Sequence, residues 1–249
     1  MSREESSSTA GVLCLVATPI GNLEDMTVRA LQTLKECDVI YAEDTRRTRI
    51  LLDKFEIRKK LESYHIFNEH EKASVIIKRV LAGEKAALVT DAGMPCIADP
   101  GFLLVREAVK AGIEPVIIPG VSSLTFAVAA SALPSDRFAF YGFLPVKSGR
   151  RSAAIQEIAG EKKSVVIFES PYRVGKLLKE LAFAMGENTL CAVVREATKV
   201  HEEVLRGTLK EVMERTKDRN WKGECIVVVG AASGEDVEEA ASFHEDTEE

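Results

Sequence analysis

Two successive α/β domains are expected from this chain, on three observations. Short apolar runs rich in Val, Ile, Leu and Ala alternate with amphipathic stretches from Gly11 onward, and such alternation builds mainly parallel or mixed sheets covered by helices. Several runs end in small, turn-forming residues, as in Thr18-Pro19-Ile20-Gly21-Asn22, Asp91-Ala92-Gly93-Met94-Pro95 and Pro119-Gly120. In open α/β sheets, ligands sit at such carboxyl ends. The pattern also breaks and restarts around Leu133-Pro134-Ser135-Asp136-Arg137. The expected domains are therefore 11–133 and 134–232, between a disordered polar leader (1–10) and a disordered acidic tail (233–249).

The elements follow in order. Residues 12–17 read as a buried strand, and Met26, Ala30, Leu31 and Leu34 mark one face of the next helix. A strand over 39–42 ends at Glu43 and Asp44, and the helix 45–55 carries Arg46, Arg47 and Arg49 near its start. Cations there oppose the helix dipole, so an anionic ligand would account for them. A third strand, 61–66, leads into an amphipathic helix stopped by Gly83. Ala86 to Thr90 is a fourth strand, and its loop places Asp91, Ala92, Gly93 and Met94 at a carboxyl end. Asp99 as N-cap, Pro100 behind it and Gly112 as stop frame the following helix. A strand at 116–118 precedes a helix over 124–132, capped from Ser122-Ser123.

The second domain is expected to hold strands at 138–143, 165–168, 190–194, 202–206 and 225–229, with helices at 174–185 and 209–216. Residues 144–151 read as a basic, Gly-containing loop with Lys147, Arg150 and Arg151. Spacings differ between the halves, so no internal repeat is claimed.

Composition excludes several classes. With 249 residues, 46% hydrophobic, the chain can bury a sizeable core. No apolar run approaches the ~20 residues that span a bilayer. Five scattered cysteines (Cys14, Cys37, Cys96, Cys191, Cys225) without a CxxC pair suggest neither disulfides nor zinc, and a reducing compartment, the cytosol. His65 and His70 lack a third ligand at metal spacing and read as ordinary strand and helix residues. The formal charge of -6 misleads: residues 233–249 hold eight acids and no Lys or Arg, which leaves the rest at +2. No Walker loop, GxGxxG fingerprint or GxSxG elbow is present. Residue types alone stop at an α/β protein whose strand-end acids (Glu43, Asp44, Asp91, Asp99) are flanked by Arg46, Arg47, Lys147, Arg150 and Arg151.

Six blocks carry a resemblance further. Thr18-Pro19-Ile20-Gly21-Asn22-Leu23, with Asp25, Thr27 and Arg29-Ala30-Leu31, is similar to the opening of the tetrapyrrole-methylase (class III) S-adenosylmethionine-dependent family. Ala42-Glu43-Asp44-Thr45-Arg46, Thr90-Asp91-Ala92-Gly93-Met94-Pro95 with Asp99-Pro100-Gly101, and Pro119-Gly120-Val121-Ser122-Ser123 resemble its 16S rRNA cytidine 2′-O-methyltransferase branch. So do Phe168-Glu169-Ser170-Pro171-Tyr172-Arg173 and Arg195-Glu196-Ala197-Thr198-Lys199. One departure is Phe67 before Asn68-Glu69, where that branch more often has His.

The resemblance implies a homodimer with S-adenosyl-L-methionine as methyl donor in a cleft between two α/β domains, and no metal. It implies donor contacts from Pro19, Ile20, Gly21, Asp91, Ala92, Gly93, Met94, Ser122, Leu144 and Ala197. The implied partner is 16S rRNA within the 30S subunit, with neither DNA nor membrane. Arg46, Arg47, Arg49, Lys147, Arg150 and Arg151 are the candidates for RNA phosphates. Transfer to a ribose 2′-oxygen is a displacement at a sulfonium methyl, which needs in-line placement and a dry site. A base, or a cation beside the forming alkoxide, helps. Glu43, Asp44, Glu169 and Lys199 are candidates by position. Two other readings remain open: a tetrapyrrole C-methyltransferase on the same fold, and a non-catalytic RNA-binding factor.

Eight acids and one aromatic (Phe243) cannot bury enough surface to offset the entropy of ordering the tail. A chain ending at Ala232 is expected to melt and transfer methyl groups as the full chain does. A melting temperature lowered by several degrees would identify the tail as a docked element instead.

Overall fold

A computed structural model of the protein describes residues 11–231; the expected leader and acidic tail lie outside the described residues. The chain divides into two compact units after Ser122.

The first unit alternates β1 (Val12–Val16), α1 (Val28–Glu36), β2 (Val39–Ala42), α2 (Thr45–Lys54), β3 (Lys60–Ser63), α3 (Glu69–Leu81), β4 (Lys85–Val89), α4 (Phe102–Lys110) and β5 (Val116–Ile118). Its five strands run in the order β3-β2-β4-β1-β5, all parallel, as the apolar runs require. Side chains alternate across it with period two. Leu13, Leu15, Val39, Tyr41, Ala86 and Leu88 pack with Ile76 and Leu104 of α3 and α4. Val16, Ile40, Ala42, Ala87 and Val89 pack on the other face with Leu34 and Leu52 of α1 and α2.

That division of faces positions the site. The chain leaves β1 for one face and its neighbour β4 for the opposite face, so a crevice opens at their carboxyl ends. The helix after β4 differs from expectation at its start. Asp99 and Pro100 remain in the loop, and Gly101, at φ 135°, is the N-cap. A Cβ on Gly101 would lie 2.8 Å from Cys96 Sγ and 3.0 Å from Leu88 Cδ2. The close return of the loop onto β4 therefore moves the helix start beyond the acid and the proline.

The second unit holds α5 (Ser123–Ser131), β6 (Phe138–Phe143), α6 (Ser148–Ala159), β7 (Ser164–Glu169), α7 (Val174–Met185), β8 (Leu190–Arg195), β9 (Glu203–Thr208), α8 (Leu209–Arg215) and β10 (Cys225–Val229). Its sheet is mixed, in the order β6-β7-β10-β8-β9. Only β6 and β7 are parallel; the other pairs are antiparallel. One face packs Val165, Ile167, Val193 and Val227 against Ile155, Leu177 and Val212 of α6, α7 and α8. The other packs Val166, Val194, Ile226 and Val228 against Ala127 and Val128 of α5.

Two expectations shift here. Helix α5 groups with the second sheet, which places the division before it and not at 133/134, because its apolar side chains complete that sheet's second face. Residues 148–151, expected as loop, open α6. The buried stripe of that helix is Arg151, Ile155 and Ile158, and a charge at its head hides the helical period. Among the described residues no helix is long and apolar enough to cross a membrane.

Gly101→Ala is expected to lower stability by about 1–3 kcal/mol through backbone strain alone. For a chain of this size that is a melting temperature lower by roughly 3–10 °C. An unchanged melting temperature would contradict the left-handed cap.

Candidate active site

The ends of β1, β4 and β5 meet through backbone contacts, and that of β2 is tied to them through carboxylates. Beyond β1, Thr18 N–H donates to the Gly93 carbonyl at 2.9 Å, and Gly93 N–H donates to the Thr18 carbonyl at 3.0 Å. The Thr18 hydroxyl donates to the Thr90 carbonyl at 3.1 Å, and its side chain is buried. Gly93 sits at φ 83°, where a side chain is strained. A Cβ there would meet only Ile20, at an ordinary 3.5 Å, so backbone conformation, more than space, is what demands glycine. Beyond β5, Gly120 closes on β1: an added Cβ would lie 2.8 Å from Ala17 Cβ.

The loop after β2 is tied to the same point. Asp44 N–H donates to the Asp91 carboxylate at 3.1 Å, Asp91 N–H donates to Glu43 Oε2 at 3.4 Å, and Arg47 stands 3.3 Å from Asp91. Asp91 is thus the hub between the β2 and β4 loops. Asp44 caps α2, accepting from Arg46 N–H at 2.8 Å and from its guanidinium at 3.0 and 2.7 Å.

These partners separate the acids chemically. Burial raises the Glu43 carboxyl above its ordinary value, against the opposing pull of the Asp91 N–H, Arg47 and His65. The Arg46 guanidinium holds Asp44 well below the usual carboxylate range. A proton is therefore more readily held at Glu43 than at Asp44. Of the residues expected to hold a donor, Pro19, Ile20 and Gly93 are buried, Asp91, Ala92, Met94 and Ser122 half-buried, and Gly21 exposed. The loop between them also carries Cys96 (φ 75°) and Ala98 (φ 63°), a concentration of unusual backbone that accompanies ligand sites. Sequence reasoning gave Thr18 no role of its own and read His65 as a strand residue, whereas His65 lies beyond the end of β3. Thr18 lies in the first of the family-like blocks, and only the fold reveals its bridge to Gly93.

In the second unit, Glu169 at the end of β7 has a fully buried carboxylate. It accepts the Ser170 N–H at 2.8 Å, and the guanidinium groups of Arg173 and Arg151 stand 2.7 and 2.9 Å away as ion-pair partners. Arg151 also donates to Glu180 at 2.8 Å. This corrects two expectations. Arg151, 2% exposed, has no surface for an RNA phosphate, and Glu169 is the anchor of a buried ion network with no exposed oxygen for a substrate proton. The apolar stripe of α6 carries Arg151 inward, whereas Lys147, Arg150, Arg46, Arg47 and Arg49 are exposed.

Lys199, beyond β8, stands 2.9 Å from Glu196 and 3.1 Å from Glu224. Burial alone would lower its ammonium, but the two carboxylates carry it above the ordinary value, so it is a fixed cation and not a base. Glu196 (φ 52°) and Thr198 (φ 64°) bracket half-buried Ala197. Leu144 is buried in the core of its unit. Among the described residues no group of three or more His, Cys, Asp or Glu is placed to hold a metal ion.

A two-unit α/β chain with its strained loops at a parallel switch point invites comparison with known proteins. The sequence matches the Tetrapyrrole (Corrin/Porphyrin) Methylases over residues 12–213, and the chain belongs to that family, one of methyltransferase enzymes. The ribosomal RNA small subunit methyltransferase I of Halalkalibacterium halodurans is 46% identical to it, over 92% of this chain and 78% of that protein. The protein of that name from Thermotoga maritima is 44% identical, over 88% of this chain and 98% of its own length. Among solved structures, uroporphyrin-III-C-methyltransferase from Thermus thermophilus shares the fold at a TM-score of 0.63 and 19% identity, covering 92% of this chain and 98% of that one. A diphthine synthase shares it at 0.67 and 18%, covering 89% and 90%.

Breaking a buried ion pair leaves a charge uncompensated, at a cost of about 3–5 kcal/mol. Arg151→Ala is expected to lose that much in denaturant unfolding, while Arg150→Ala stays within about 0.5 kcal/mol of the parent, as surface substitutions do. Equal stabilities would return Arg151 to the surface.

Proposed function

We propose that this enzyme transfers a methyl group from S-adenosyl-L-methionine to the 2′-oxygen of a cytidine in 16S rRNA of the small ribosomal subunit, acting as a homodimer in the cytosol. The observation that carries this reading is the 42–46% identity, over nearly the whole chain, to proteins named ribosomal RNA small subunit methyltransferase I. One of the structural relatives, a Thermus thermophilus uroporphyrin-III C-methyltransferase, is complexed with S-adenosylhomocysteine, which supports the choice of donor.

The residues present fit such a donor. Gly93, at positive φ, leaves its loop without a side chain beside the crevice, and the half-buried Asp91 and Ala92 can meet polar atoms from its wall. Pro19, Ile20, Gly21, Met94 and Ser122 complete the proposed holders in the first unit; Leu144 and Ala197 are proposed only because the family resemblance implies them. When bound, the donor supplies an electrophilic methyl on a sulfonium. This chain's own contribution is placement and proton handling. The ribose oxygen forms its bond to carbon as the carbon–sulfur bond breaks, and its proton must leave. Glu43 is the best-suited acceptor of that proton: burial raises its carboxyl, whereas Asp44, Glu169 and Lys199 are committed to ion pairs. Arg46, Arg47, Arg49, Lys147 and Arg150 are the proposed phosphate contacts.

Incubation with methyl-labelled S-adenosylmethionine and unmethylated small subunits, followed by mapping of the product, tests the reading. Label on a cytidine ribose is expected, and label on a base, or none on the subunit, would overturn it. Glu43→Gln is expected to lower kcat by about 10²–10⁴ with little change in affinity for S-adenosylhomocysteine. An unchanged kcat would remove Glu43 as the base.

A further inference from the structure

Strand β3 lies beside β2, with Ser63 paired to Ala42, and Tyr64 N–H extends the pairing by donating to the Ala42 carbonyl at 2.8 Å. The turn 64–68 therefore leaves the sheet next to Glu43, Asp44 and the first turn of α2. His65 bears electrostatically on Glu43 from that turn. One side chain fixes the turn's backbone. Asn68 Oδ1 accepts from His65 N–H at 2.9 Å, and Asn68 Nδ2 donates to the Ser63 carbonyl and hydroxyl at 3.4 and 3.3 Å. The backbone N–H groups of Asn68 and Glu69 both donate to the His65 carbonyl, at 2.9 and 3.0 Å.

On this fixed turn Phe67 is 94% exposed. Its ring meets His65 edge to face, with centroids 6.0 Å apart. On the adjoining helix the side chains of Arg46 and Arg47 are 89% and 66% exposed although each has a carboxylate partner, and Arg49 is exposed as well.

We propose that Phe67 is a stacking platform for an unpaired RNA base close to the methylated nucleotide, with the α2 arginines holding the flanking phosphates; this rests on the rRNA reading above. A single exposed aromatic would carry no such inference. Here the ring is held by a turn that loses little freedom on binding, and it adjoins cations at the strand ends that form the site. An aromatic face accepts any base, and arginines meet the phosphates between bases. A second protein copy would need to cover both the ring and the row of arginines with matching acids, whereas single-stranded RNA supplies a stacking surface and anions in one chain.

The test uses the full chain with Phe67→Ala and Phe67→Trp. Affinity is measured against salt for a fluorescein-labelled single-stranded oligoribonucleotide of 16S rRNA sequence, and for S-adenosylhomocysteine. Phe67→Ala is expected to weaken RNA binding roughly 5- to 100-fold, the usual worth of one stacked base. The slope of log affinity against log salt and the S-adenosylhomocysteine affinity stay unchanged, and Phe67→Trp restores binding. Replacing Arg46 and Arg47 together instead flattens the slope by about 1.4, which separates stacking from phosphate contact. A Phe67→Ala protein that binds this RNA as tightly as the parent overturns the platform and leaves the rRNA reading standing. A changed oligomeric mass on gel filtration makes Phe67 a subunit contact and also overturns it. A parent that neither binds this RNA nor methylates small subunits sinks the rRNA reading itself, and the platform with it.

Discussion

The mutual pair of backbone hydrogen bonds between Thr18 and Gly93 is the constraint on which the first unit's candidate site depends. The strands β1 and β4 are parallel neighbours whose chains depart to opposite faces of the sheet. Without a link beyond the strands, the two departing loops would separate and leave polar backbone to water. The bridge holds them together for one more residue pair, and the Thr18 hydroxyl adds a third contact to the Thr90 carbonyl. Gly93 can complete this bridge because its φ of 83° suits glycine and few other residues.

Electrostatics then organises the rim. Asp91 receives a backbone N–H from Asp44 and a guanidinium from Arg47, and its own N–H reaches Glu43. Three carboxylates at adjoining strand ends would repel one another if left bare. Arginines answer two of them, Asp44 through Arg46 and Asp91 through Arg47, and Glu43 is left as the acid that burial works upon. The arginines at the start of α2 thus have a local reason as well as a proposed ligand. Asp44, as N-cap, also offsets their unfavourable position on the helix dipole.

Much of the architecture was legible in sequence because it depends on local chemistry. Val174–Met185 ends where Gly186 supplies a positive φ, and Phe138–Phe143 and Cys225–Val229 are apolar runs bounded by turn residues. The misses have specific causes. Helix α6 was hidden because Arg151 occupies a core position in its stripe, and a charge there reads as solvent. The N-cap of α4 moved from Asp99 to Gly101 because the loop folds back against Cys96 and Leu88, a contact that sequence cannot foresee.

The sequence by itself determined two α/β units, the strand-end loops of the candidate site, and, through its ordered blocks, membership of a methylase family. Each is written in residues close together along the chain, where apolar period, capping and turn preference operate. Tertiary structure alone decided which charged side chains remain available. Glu169 and Arg151 lie 18 positions apart and found each other in a buried network, while Arg150 beside it stayed in solvent. The physical reason is that a side chain's exposure and ionisation are set by neighbours distant along the chain, and those exist only once the sheet has brought its strand ends together.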